Sequence, residues 1–301
     1  MSQSAPRILA FGDNVVDCYR DGQLMYPGGN SVNHAVFARR FGAHTAYAGA
    51  VSDDAAGRAI RDALTAEDVD TSLLRFMPGQ TAYCVIATHA GERVFEGANL
   101  GVSIIAPSHA DLAWMKTADA VHTGRSSHID AWLPRFAALT RVSYDFATIR
   151  DGGRVASIAP HCFLAAFSGG DLNHDEARTL AETALRHGAR WALVTRGSDG
   201  ALLSGPEGAV TAPAERVQPV DTLGAGDTFI ARTLVGLLRA ETPVDILAAA
   251  ARAAAETCLS PGAFGYGAPM VVDLKTAQTI EEIYATTKPA SGPEATPTVE
   301  A

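Results

Sequence analysis

Several common sequence signals are scarce in this chain, and each shortage argues against a class of protein. There are only four cysteines, Cys18, Cys84, Cys162 and Cys258, which are far apart and form no C-x-x-C pair, so reduced thiols are expected. The first residues, MSQSAPRILAF, lack the basic and then apolar run of a secretory signal. No segment offers about 18 consecutive uncharged apolar residues, the usual minimum for a membrane span. We therefore expect a cytoplasmic protein that does not enter a membrane.

Positively charged residues are also scarce. Lys and Arg together number 24 against 33 Asp and Glu, which gives a formal net charge of -9. A general nucleic-acid binder would need a basic surface to neutralise phosphates, so the partner is expected to be a small molecule. The 301 residues, 47% of them hydrophobic, are enough for one large globular domain.

Several familiar catalytic signatures are missing. The chain has no G-x-x-x-x-G-K-[ST], no G-x-S-x-G and no H-E-x-x-H, and GAGDTF lacks the third glycine of a dinucleotide fingerprint. The nine histidines are scattered. His122 and His128 flank TGRSS at the end of a predicted strand, where active-site loops gather, but a lone histidine is usually a packing or surface residue.

The chain does contain an alternation of short apolar runs with helical patterns. Buried strands are expected at 7–11, 45–51, 120–124, 141–146, 162–167 and 191–197. Helices are expected at 31–43, 55–67, 129–140 and 173–189, several of them ended by a glycine such as Gly42 or Gly188. Alternating strands and helices predict an α/β domain whose parallel sheet is covered on both faces.

Two stretches interrupt this alternation. Residues 14–27 continue without a crossover helix, and residues 81–98 are typical of a hairpin that turns at HAGER. We expect them to form a small second sheet at the edge of the main one. Its apolar face would be exposed on a monomer, so a homodimer through this sheet is predicted. Residues 288–301 are rich in Pro, Ala, Thr and Glu and are expected to be a disordered tail.

A glycine-rich loop leads into a helix at DTLGAGDTFIARTLVGLLRA, residues 221–240. The apolar residues after the glycines recur with helical spacing, so the glycines stand at the helix N-terminus. The first backbone amides there have no intrahelical partner, and small residues let an anion approach them. Gly224, Ala225 and Gly226 are therefore expected to form an anion hole.

Asp227 lies beside this anion hole. The helix dipole favours its ionised form, yet a carboxylate next to a bound phosphate is repulsive unless a group between them needs it. An attacking hydroxyl that must lose a proton would be such a group, so the pairing suggests phosphoryl transfer to an alcohol. The alternative is that Asp227 only caps the helix and that the glycines form an ordinary tight turn.

A second informative stretch is YPGGNSVNHAVFARRFG, residues 26–42. Its small and polar residues, and one acid after the first strand, are suited to sugar hydroxyls. The groups in question are the backbone of Gly28 and Gly29, the side chains of Asn30, Ser31 and Asn33, and the carboxylate of Asp17. Taken singly, Asn30 or Ser31 is better explained as a helix N-cap, and Asp17 is more often an acid in a solvated turn.

Together these stretches resemble the PfkB, or ribokinase-like, family of carbohydrate kinases, over almost the whole chain up to about residue 270. DTLGAGDTF is similar to the family's C-terminal signature, and GGNSVNHAVFARRFGA with VSDDAAGRAI is similar to its N-terminal one. The resemblance implies a Rossmann-like three-layer α/β sandwich, one kinase domain over residues 1–275, and a small β-sheet lid from about 14–27 and 81–98. It also implies ATP as the phosphoryl donor and Mg²⁺ as a cofactor.

The resemblance further implies roles for single residues. Asp227 matches the catalytic base, and the amides of Gly224, Ala225 and Gly226 match the hole for the transferred phosphoryl group. The sugar-binding positions are matched by Asp17, Gly28, Gly29, Asn30 and Asn33. TRGSDG is similar to a nucleotide-binding T-x-G-x-x-G, which implicates Thr195, Gly197 and Gly200. Asp221 matches a ligand of the monovalent cation, such as K⁺, found in many relatives, or else it caps the turn before the helix.

One departure concerns the family's N-x-x-E after a central strand, which is tied to Mg²⁺ and phosphate handling. The corresponding stretch here is Ser168-Gly169-Gly170-Asp171, which keeps the spacing and one acid but loses the amide. A shorter acid would act through water. Ser168 is accordingly assigned to the nucleotide site and Asp171 to the metal.

Within the family, FGDNVVDCY, ERVFEGANLGV and VHTGRSSHIDAWLPRF with SYDF are most similar to fructoselysine 6-kinases, which phosphorylate the 6-hydroxyl of a sugar–amino acid conjugate. Arg93, Arg125 or His128 could meet a charged aminoacyl end, although such residues more often lie on the surface. A ribokinase, fructokinase or nucleoside kinase of the same family is the alternative enzyme. A sugar-sensing pseudokinase is the non-enzymatic alternative, and the intact Asp227 and glycine loop argue against it.

Overall fold

A computed structural model describes residues 4–89, 92–279, 281–283, 287 and 290–293. The tip of the predicted hairpin and most of the predicted tail at 288–301 lie outside these residues. Every helix in the described ranges is too short or too polar to traverse a bilayer.

Fourteen strands and eight α-helices occur in the described residues. The strands are β1 (Arg7–Phe11), β2 (Val15–Tyr19), β3 (Leu24–Gly28), β4 (His44–Val51), β5 (Asp70–Phe76), β6 (Tyr83–His89), β7 (Glu92–Asn99), β8 (Ala120–Gly124), β9 (Arg141–Asp145), β10 (Leu164–Ser168), β11 (Trp191–Thr195), β12 (Ala201–Gly205), β13 (Gly208–Ala212) and β14 (Ala268–Pro269). The helices are α1 (Asn30–Arg40), α2 (Ala55–Ala66), α3 (His109–Met115), α4 (Leu133–Ala137), α5 (Gly152–Ile158), α6 (His174–Arg186), α7 (Ala225–Leu238) and α8 (Pro243–Thr257).

The main sheet has nine strands in the order β13-β12-β11-β10-β9-β8-β1-β4-β5. The strands from β11 to β5 run parallel, whereas β12 and β13 pair antiparallel at one edge. The predicted parallel sheet therefore extends from β11 to β5, and two antiparallel strands that were not predicted follow it at this edge. The connections between β11, β12 and β13 are too short for a crossover helix, and only antiparallel strands can be joined by such turns.

Helices cover both faces of this sheet. Residues of α1, α2, α7 and α8 share one buried apolar cluster with the sheet, and residues of α3 to α6 share the other. The α7 helix is held by its apolar side, where Phe229 and Leu234 are buried in the first cluster. The predicted three-layer α/β sandwich is confirmed.

A smaller five-stranded sheet, in the order β14-β3-β2-β6-β7, contains the strands of both stretches that interrupt the alternation. We expected the apolar face of this sheet to be exposed on a monomer, but Val16, Cys18 and Val85 are buried within the single chain. On β7, Val94 and Phe95 keep 39% and 43% of their surface exposed. Together with Leu24 on β3, which is 36% exposed, these side chains retain some of the apolar exposure from which the homodimer was predicted.

The order of the main sheet determines where a ligand can bind. The β1 strand lies between β8 and β4, so the chain moves to one side of β1 first and to the other side later. Open α/β sheets bind ligands at the carboxyl ends of the strands beside such a switch point. The loops after β1, β8 and β9 meet there, together with the first turns of α1 and α7.

Candidate active site

The two glycines before α1 allow close packing around the first strands. Gly29 has φ 100°, and a Cβ there would lie 2.7 Å from the Cα of Asn14. A Cβ at Gly28 would lie 2.1 Å from a carboxylate oxygen of Asp17. Glycine at position 28 therefore leaves room for the Asp17 side chain, which is only 2% exposed.

The two asparagines of α1 both contact Asp227, because residues three apart lie on the same helix face. The Asn30 Nδ2 donates to Oδ1 of Asp227 at 2.9 Å, and the Asn33 Nδ2 donates to Oδ2 at 2.6 Å. The carboxylate is thus held at both oxygens. The Oδ1 of Asn33 is buried and accepts no hydrogen bond from the described residues. It is available to a ligand hydroxyl.

The position of Asp227 changes its acidity. Burial raises its pKa to about 7, and the nearby charges of Asp145 and Asp13 raise it too, while the Asn33 and Asn30 amides oppose the change. A carboxyl group with a pKa near the working pH can both accept and release a proton readily. These are the properties of a general base.

The N-terminus of α7 is built to receive an anion. Gly224 is the N-cap at φ 76°, and a Cβ there would lie 2.5 Å from the Cβ of Ala263. A Cβ at Gly226 would meet nothing within 4 Å, so open space lies in front of this residue. The first-turn amides of a helix have no intrahelical acceptor and point towards such a space. The open space beside Asp227 is thus compatible with the expected anion hole, which stays a prediction.

One cavity of about 300 Å³ lies between the lid and the main sheet. It is lined by Asp17, Gly29, Asn30, Asn33 and Asp227, which are predicted site residues. Its polar groups also include Asp13, Asn14, Ser103, Ser126 and His128, and its apolar groups include Phe95, Leu100, Leu223 and Ile283. We call this space the acceptor cavity; its volume is at the lower end of the roughly 300–1,000 Å³ typical of ligand pockets.

A second cavity, of about 710 Å³, lies on the other side of the α7 N-terminus. Three predicted nucleotide residues, Thr195, Gly197 and Gly200, line it together with Ala225 and Gly226. Much of its remaining wall is apolar and consists of Val217, Pro219, Phe229, Ala251, Ala254 and Ala255. We call it the nucleotide cavity. The two cavities meet at the helix N-terminus, with Asp227 on one side and Gly226 on the other.

Ser168 and Asp171 lie outside both cavities. Arg150 donates to the two carboxylate oxygens of Asp171 at 2.7 and 2.5 Å, and to the backbone oxygen of Ser168 at 2.9 Å. These hydrogen bonds lower the pKa of Asp171 to about 2. The pairing occupies the acid that the sequence assigned to the metal. In the described part of the chain, no three His, Cys, Asp or Glu side chains form a metal-binding group.

Asp221 lies in the loop that enters α7. Its Oδ1 accepts from the Leu223 amide at 3.0 Å, and its Oδ2 accepts from the Gly262 amide at 3.0 Å and from the Tyr19 hydroxyl. These donors suit a carboxylate that orders a turn and ties it to the lid strand β2. A carboxylate has about four acceptor sites, so these three donors leave the expected role of Asp221 as a cation ligand a prediction.

The sequence did not single out Asp13 and Asp145, and it left His122 as a lone histidine that would usually pack or lie on the surface. Asp13 accepts from the Asn30 amide at 3.0 Å and from the Ser127 hydroxyl at 2.9 Å, and Asp145 and His122 both contact the Asn30 side chain. Asp13 follows β1 and Asp145 ends β9, positions that could have indicated these two acids. Of the residues considered for an aminoacyl end, His128 lines the acceptor cavity, Arg125 is not among its lining residues, and the side chain of Arg93 is not described.

Comparison with known proteins places these observations in context. The profile of the pfkB family of carbohydrate kinases matches residues 13–138 and 164–266. The fructosamine kinase FrlD of Bacillus subtilis (strain 168) is 36% identical over 268 residues, which cover 87% of this chain and 94% of that protein. A fructoselysine 6-kinase of Escherichia coli (strain K12) is 31% identical over 260 residues, which cover 85% of this chain and 99% of that protein.

Solved structures share the fold. An Arabidopsis thaliana ribokinase complexed with ribose and ATP matches with a TM-score of 0.74 at 20% identity, covering 87% of this chain and 95% of that chain. At this identity the likeness concerns the fold alone. The identification of the sequence family therefore depends on the profile and on the more similar relatives.

Proposed function

Because the chain belongs to the pfkB family of carbohydrate kinases, we propose that it transfers the γ-phosphoryl group of ATP to a terminal hydroxyl of a fructosamine such as fructoselysine. The observation that carries this proposal is the position of Asp227. Its carboxylate lies where the acceptor and nucleotide cavities meet, beside the first-turn amides of α7. A base, an acceptor site and an anion hole are thus adjacent.

The chemistry follows from this arrangement. An acceptor hydroxyl donates a hydrogen bond to Asp227, which takes the proton as the hydroxyl oxygen bonds to the γ-phosphorus. The bond from that phosphorus to the β,γ-bridging oxygen breaks, and ADP carries away the electron pair. The amides of Gly224, Ala225 and Gly226 stabilise charge on the transferred group through preorganised hydrogen bonds. Asn30 and Asn33 orient the base.

Two features of the acceptor cavity support a sugar conjugate as the substrate. Asp17, Asn30 and Asn33 offer polar atoms suited to sugar hydroxyls, with Asn33 Oδ1 open to a donor. Phe95 and Ile283 add an apolar wall to the same cavity, suited to an aliphatic aminoacyl chain. The substrates named for the two relatives, fructosamine and fructoselysine, combine these two characters.

The nucleotide cavity suits ATP. Its apolar wall can cover an adenine ring, while Thr195, Gly197 and Gly200 offer backbone and hydroxyl groups near the phosphate end. We propose that Mg²⁺ enters with the ATP phosphates, where it neutralises their charge. Mg²⁺ is commonly held by substrate phosphates and water with few protein carboxylates, which fits the lack of a dedicated acidic group in the described residues.

Both acids that the sequence assigned to a metal have protein partners in their present contacts. Asp171 is paired with Arg150, and both oxygens of Asp221 accept hydrogen bonds. We therefore propose that Asp221 orders the loop before α7; its role as a ligand of a monovalent cation stays a prediction, and we assign no reaction step to either residue.

Assembly and location complete the proposal. Val94 and Phe95 are exposed on β7, and Phe95 also lines the acceptor cavity. A second copy of the lid packed on these residues would bury them and close that end of the cavity, so we propose a homodimer. We also propose a cytoplasmic enzyme, where ATP is available and where the cysteines remain thiols. Sedimentation at micromolar concentration tests the dimer, and a strictly monomeric profile would contradict it.

The experiment for the function is an ATP-coupled assay with a panel of acceptors. The panel contains fructoselysine, other fructosamines, fructose, ribose, 2-keto-3-deoxygluconate and nucleosides, with Asp227→Asn as the inactive control. A fructosamine should have the highest kcat/KM, since its aminoacyl part adds binding energy that a bare sugar lacks. If ribose, a nucleoside or the keto acid is preferred by more than about tenfold, the fructosamine assignment is wrong. No ADP release with any acceptor would contradict catalysis itself.

A further inference from the structure

The side chain of Asn30 joins two carboxylates. Its Nδ2 donates to Oδ2 of Asp145 at 2.9 Å and to Oδ1 of Asp227 at 2.9 Å, and its Oδ1 lies 3.0 Å from Nε2 of His122. An amide group has two N–H donors and one carbonyl acceptor. With the amide turned the other way, its oxygen would face both carboxylates and repel them. The orientation of this one amide therefore matters to both acids.

His122 determines that orientation. The Oδ1 of Asn30 can only accept, so Nε2 of His122 must carry the proton, and Nδ1 then accepts from the Ser143 hydroxyl at 3.0 Å. His34 stacks on this ring with centroids 3.7 Å apart and planes 6° from parallel, and both histidines are fully buried. Burial and the neighbouring His34 keep the pKa of His122 well below its usual value. The ring therefore stays neutral, with one fixed donor.

We propose that His122 is a positioning residue for phosphoryl transfer: it holds the Asn30 amide so that this amide fixes the Asp227 carboxylate beside Asp145. The proposal rests on the role of Asp227 as the base. Without the histidine donor, the amide is free to rotate and its hydrogen bond to Asp227 is lost for part of the time. The carboxylate then points less consistently at the acceptor hydroxyl.

Other charged groups act on the same carboxylate, and the experiment must keep them unchanged. Asp13 after β1 and Asp145 after β9 act on Asp227, Arg125 after β8 acts on Asp145, and His34 on α1 covers His122. Substitutions are therefore confined to His122 and Ser143.

Three variants form the test. His122→Leu removes the donor, His122→Gln keeps an N–H that can reach Asn30, and Ser143→Ala removes only the partner on the other ring nitrogen. His122→Leu should lower kcat about tenfold with the KM for ATP unchanged, because a misplaced base costs rate rather than nucleotide binding. The acid limb of its pH profile should move to higher pH, since the Asn30 hydrogen bond lowers the pKa of Asp227. His122→Gln should recover most of the rate, and Ser143→Ala should stay near the wild type.

A second readout needs no substrate. Carboxyl-carbon NMR of the protein without ligands can follow the titration of Asp227, assigned with the Asp227→Asn variant. The pKa of Asp227 should be higher in His122→Leu than in the wild type or in His122→Gln. A folded His122→Leu protein with wild-type kcat and an unmoved Asp227 titration would overturn the proposal. Failure of the proposed function would give a different result from failure of this proposal. The wild type would phosphorylate no acceptor, while the titration shift in His122→Leu would remain.

An independent observation concerns the chain beyond the family match, which ends at residue 266. Gln278 exchanges two backbone hydrogen bonds with Ala98 on β7, at 2.9 and 2.8 Å, and Thr276 lies 2.9 Å from the Tyr83 hydroxyl on β6. A Cβ at Gly97 would lie 2.8 Å from the Gln278 carbonyl oxygen, so the glycine admits this close approach. Residues 274–279 are thus fastened to the lid.

This attachment brings Ile283 to the acceptor cavity. Its side chain is 5% exposed and lines the cavity with Phe95 and Leu100. From these contacts we infer that Ile283 is a specificity-determining residue, which supplies an apolar wall for the aminoacyl part of the acceptor. The inference rests on the proposed fructosamine substrate and goes beyond it by assigning selectivity to a segment outside the family match.

Ile283→Ala tests this inference, with Val271→Ala as the matched control on a side chain that is 63% exposed. The ratio of kcat/KM for fructoselysine over fructose should fall at least about threefold in Ile283→Ala, because lost apolar contact weakens only the larger acceptor. Val271→Ala should leave the ratio unchanged. If the wild type prefers fructoselysine and Ile283→Ala keeps the same ratio, this inference is wrong while the proposed function stands. If the wild type has no activity on fructosamines, the substrate assignment fails first.

Discussion

The two cavities on either side of the α7 N-terminus are built in opposite ways. The acceptor cavity presents carboxylates and amides from three different elements, such as the buried Asp17 and Asn33 and the half-buried Asp227. The nucleotide cavity presents backbone from glycine turns and an apolar wall of mostly small residues. Under the proposed function, we expect the first cavity to recognise its ligand through side chains and the second through shape and main-chain groups.

This difference has an energetic reason. A sugar differs from other sugars in where its hydroxyls lie, and a buried side chain left unpaired by the wrong hydroxyl is costly. A nucleotide instead offers a flat ring and a string of anions, which an apolar slot and helix N-terminal amides can bind. Removal of polar atoms should therefore damage the acceptor side most, whereas addition of volume should damage the nucleotide side.

The largest loss of activity is expected for Asp227→Asn. Loss of the proton acceptor should lower kcat about 10²-fold or more, with ATP still bound. The same change should raise the melting temperature at pH 8, because the ionised carboxylate is unfavourable in its buried site. The direction of this effect follows from the pKa of Asp227, which the fold raises to about 7. The protonated carboxyl group contributes its full stabilisation below the pKa of the unfolded chain, and this contribution is lost as the pH rises through the folded pKa.

Steady-state kinetics and thermal melts at pH 4.5 and pH 8 check this prediction. The melting temperatures of variant and wild type should be closer at the lower pH. A variant with wild-type kcat would remove Asp227 from the mechanism. A variant that melts far below the wild type at both pH values would show that the ionised Asp227 carboxylate does not destabilise the fold.

The pH dependence is the next effect. Since burial raises the pKa of Asp227 to about 7, kcat should fall about tenfold for each unit of pH below that value and level off above it. Asp145 has a pKa raised to about 6, mainly by burial, so a second ionisation should steepen the profile near that pH. Rates at saturating ATP and acceptor from pH 5 to pH 9 measure both. A flat profile down to pH 5 would contradict a buried base.

On the nucleotide side, two glycines provide a matched pair. A Cβ at Gly226 or at Gly170 would meet nothing within 4 Å, so both Gly→Ala variants should fold. Only Gly226 lines the nucleotide cavity. The added methyl at Gly226→Ala should occupy phosphate space and lower kcat/KM for ATP about tenfold, while Gly170→Ala stays near the wild type. Equal kinetics in the two variants would show that volume at the helix N-terminus is harmless.

The asymmetry between the cavities also explains what the sequence could predict. Asp227 and the glycines before it lie within one short stretch, and the helix N-terminus gives them a local physical meaning. The same holds for Asn30 and Asn33, three residues apart at the start of α1. Local pattern therefore predicted the fold class, and it selected residues that the structure places around one cavity, although their roles stay predictions.

The remaining contacts depend on the order of strands in the sheet. Asp145 and His122 reach Asn30 because β8 lies beside β1 and β9 lies beside β8, and no spacing along the chain encodes that order. The placement of Ile283 depends in the same way on the pairing of Gln278 with Ala98. The strands β12 and β13 were not predicted, although at five residues each they are as long as β1 and β8, which were.

The smallest expected effect concerns Asp171, which the sequence assigned to the metal. Arg150 holds both of its carboxylate oxygens, and the residue lies outside both cavities. Asp171→Asn should therefore change kcat less than about threefold and leave the Mg²⁺ concentration for half-maximal rate unchanged, since exposed ion pairs contribute little. The comparison variant is Asp199→Asn, whose carboxylate is paired with Arg196 at the edge of the nucleotide cavity. A Mg²⁺ requirement raised tenfold in Asp171→Asn alone would restore Asp171 to the metal site, because only a ligand that releases Arg150 on binding Mg²⁺ would produce that shift.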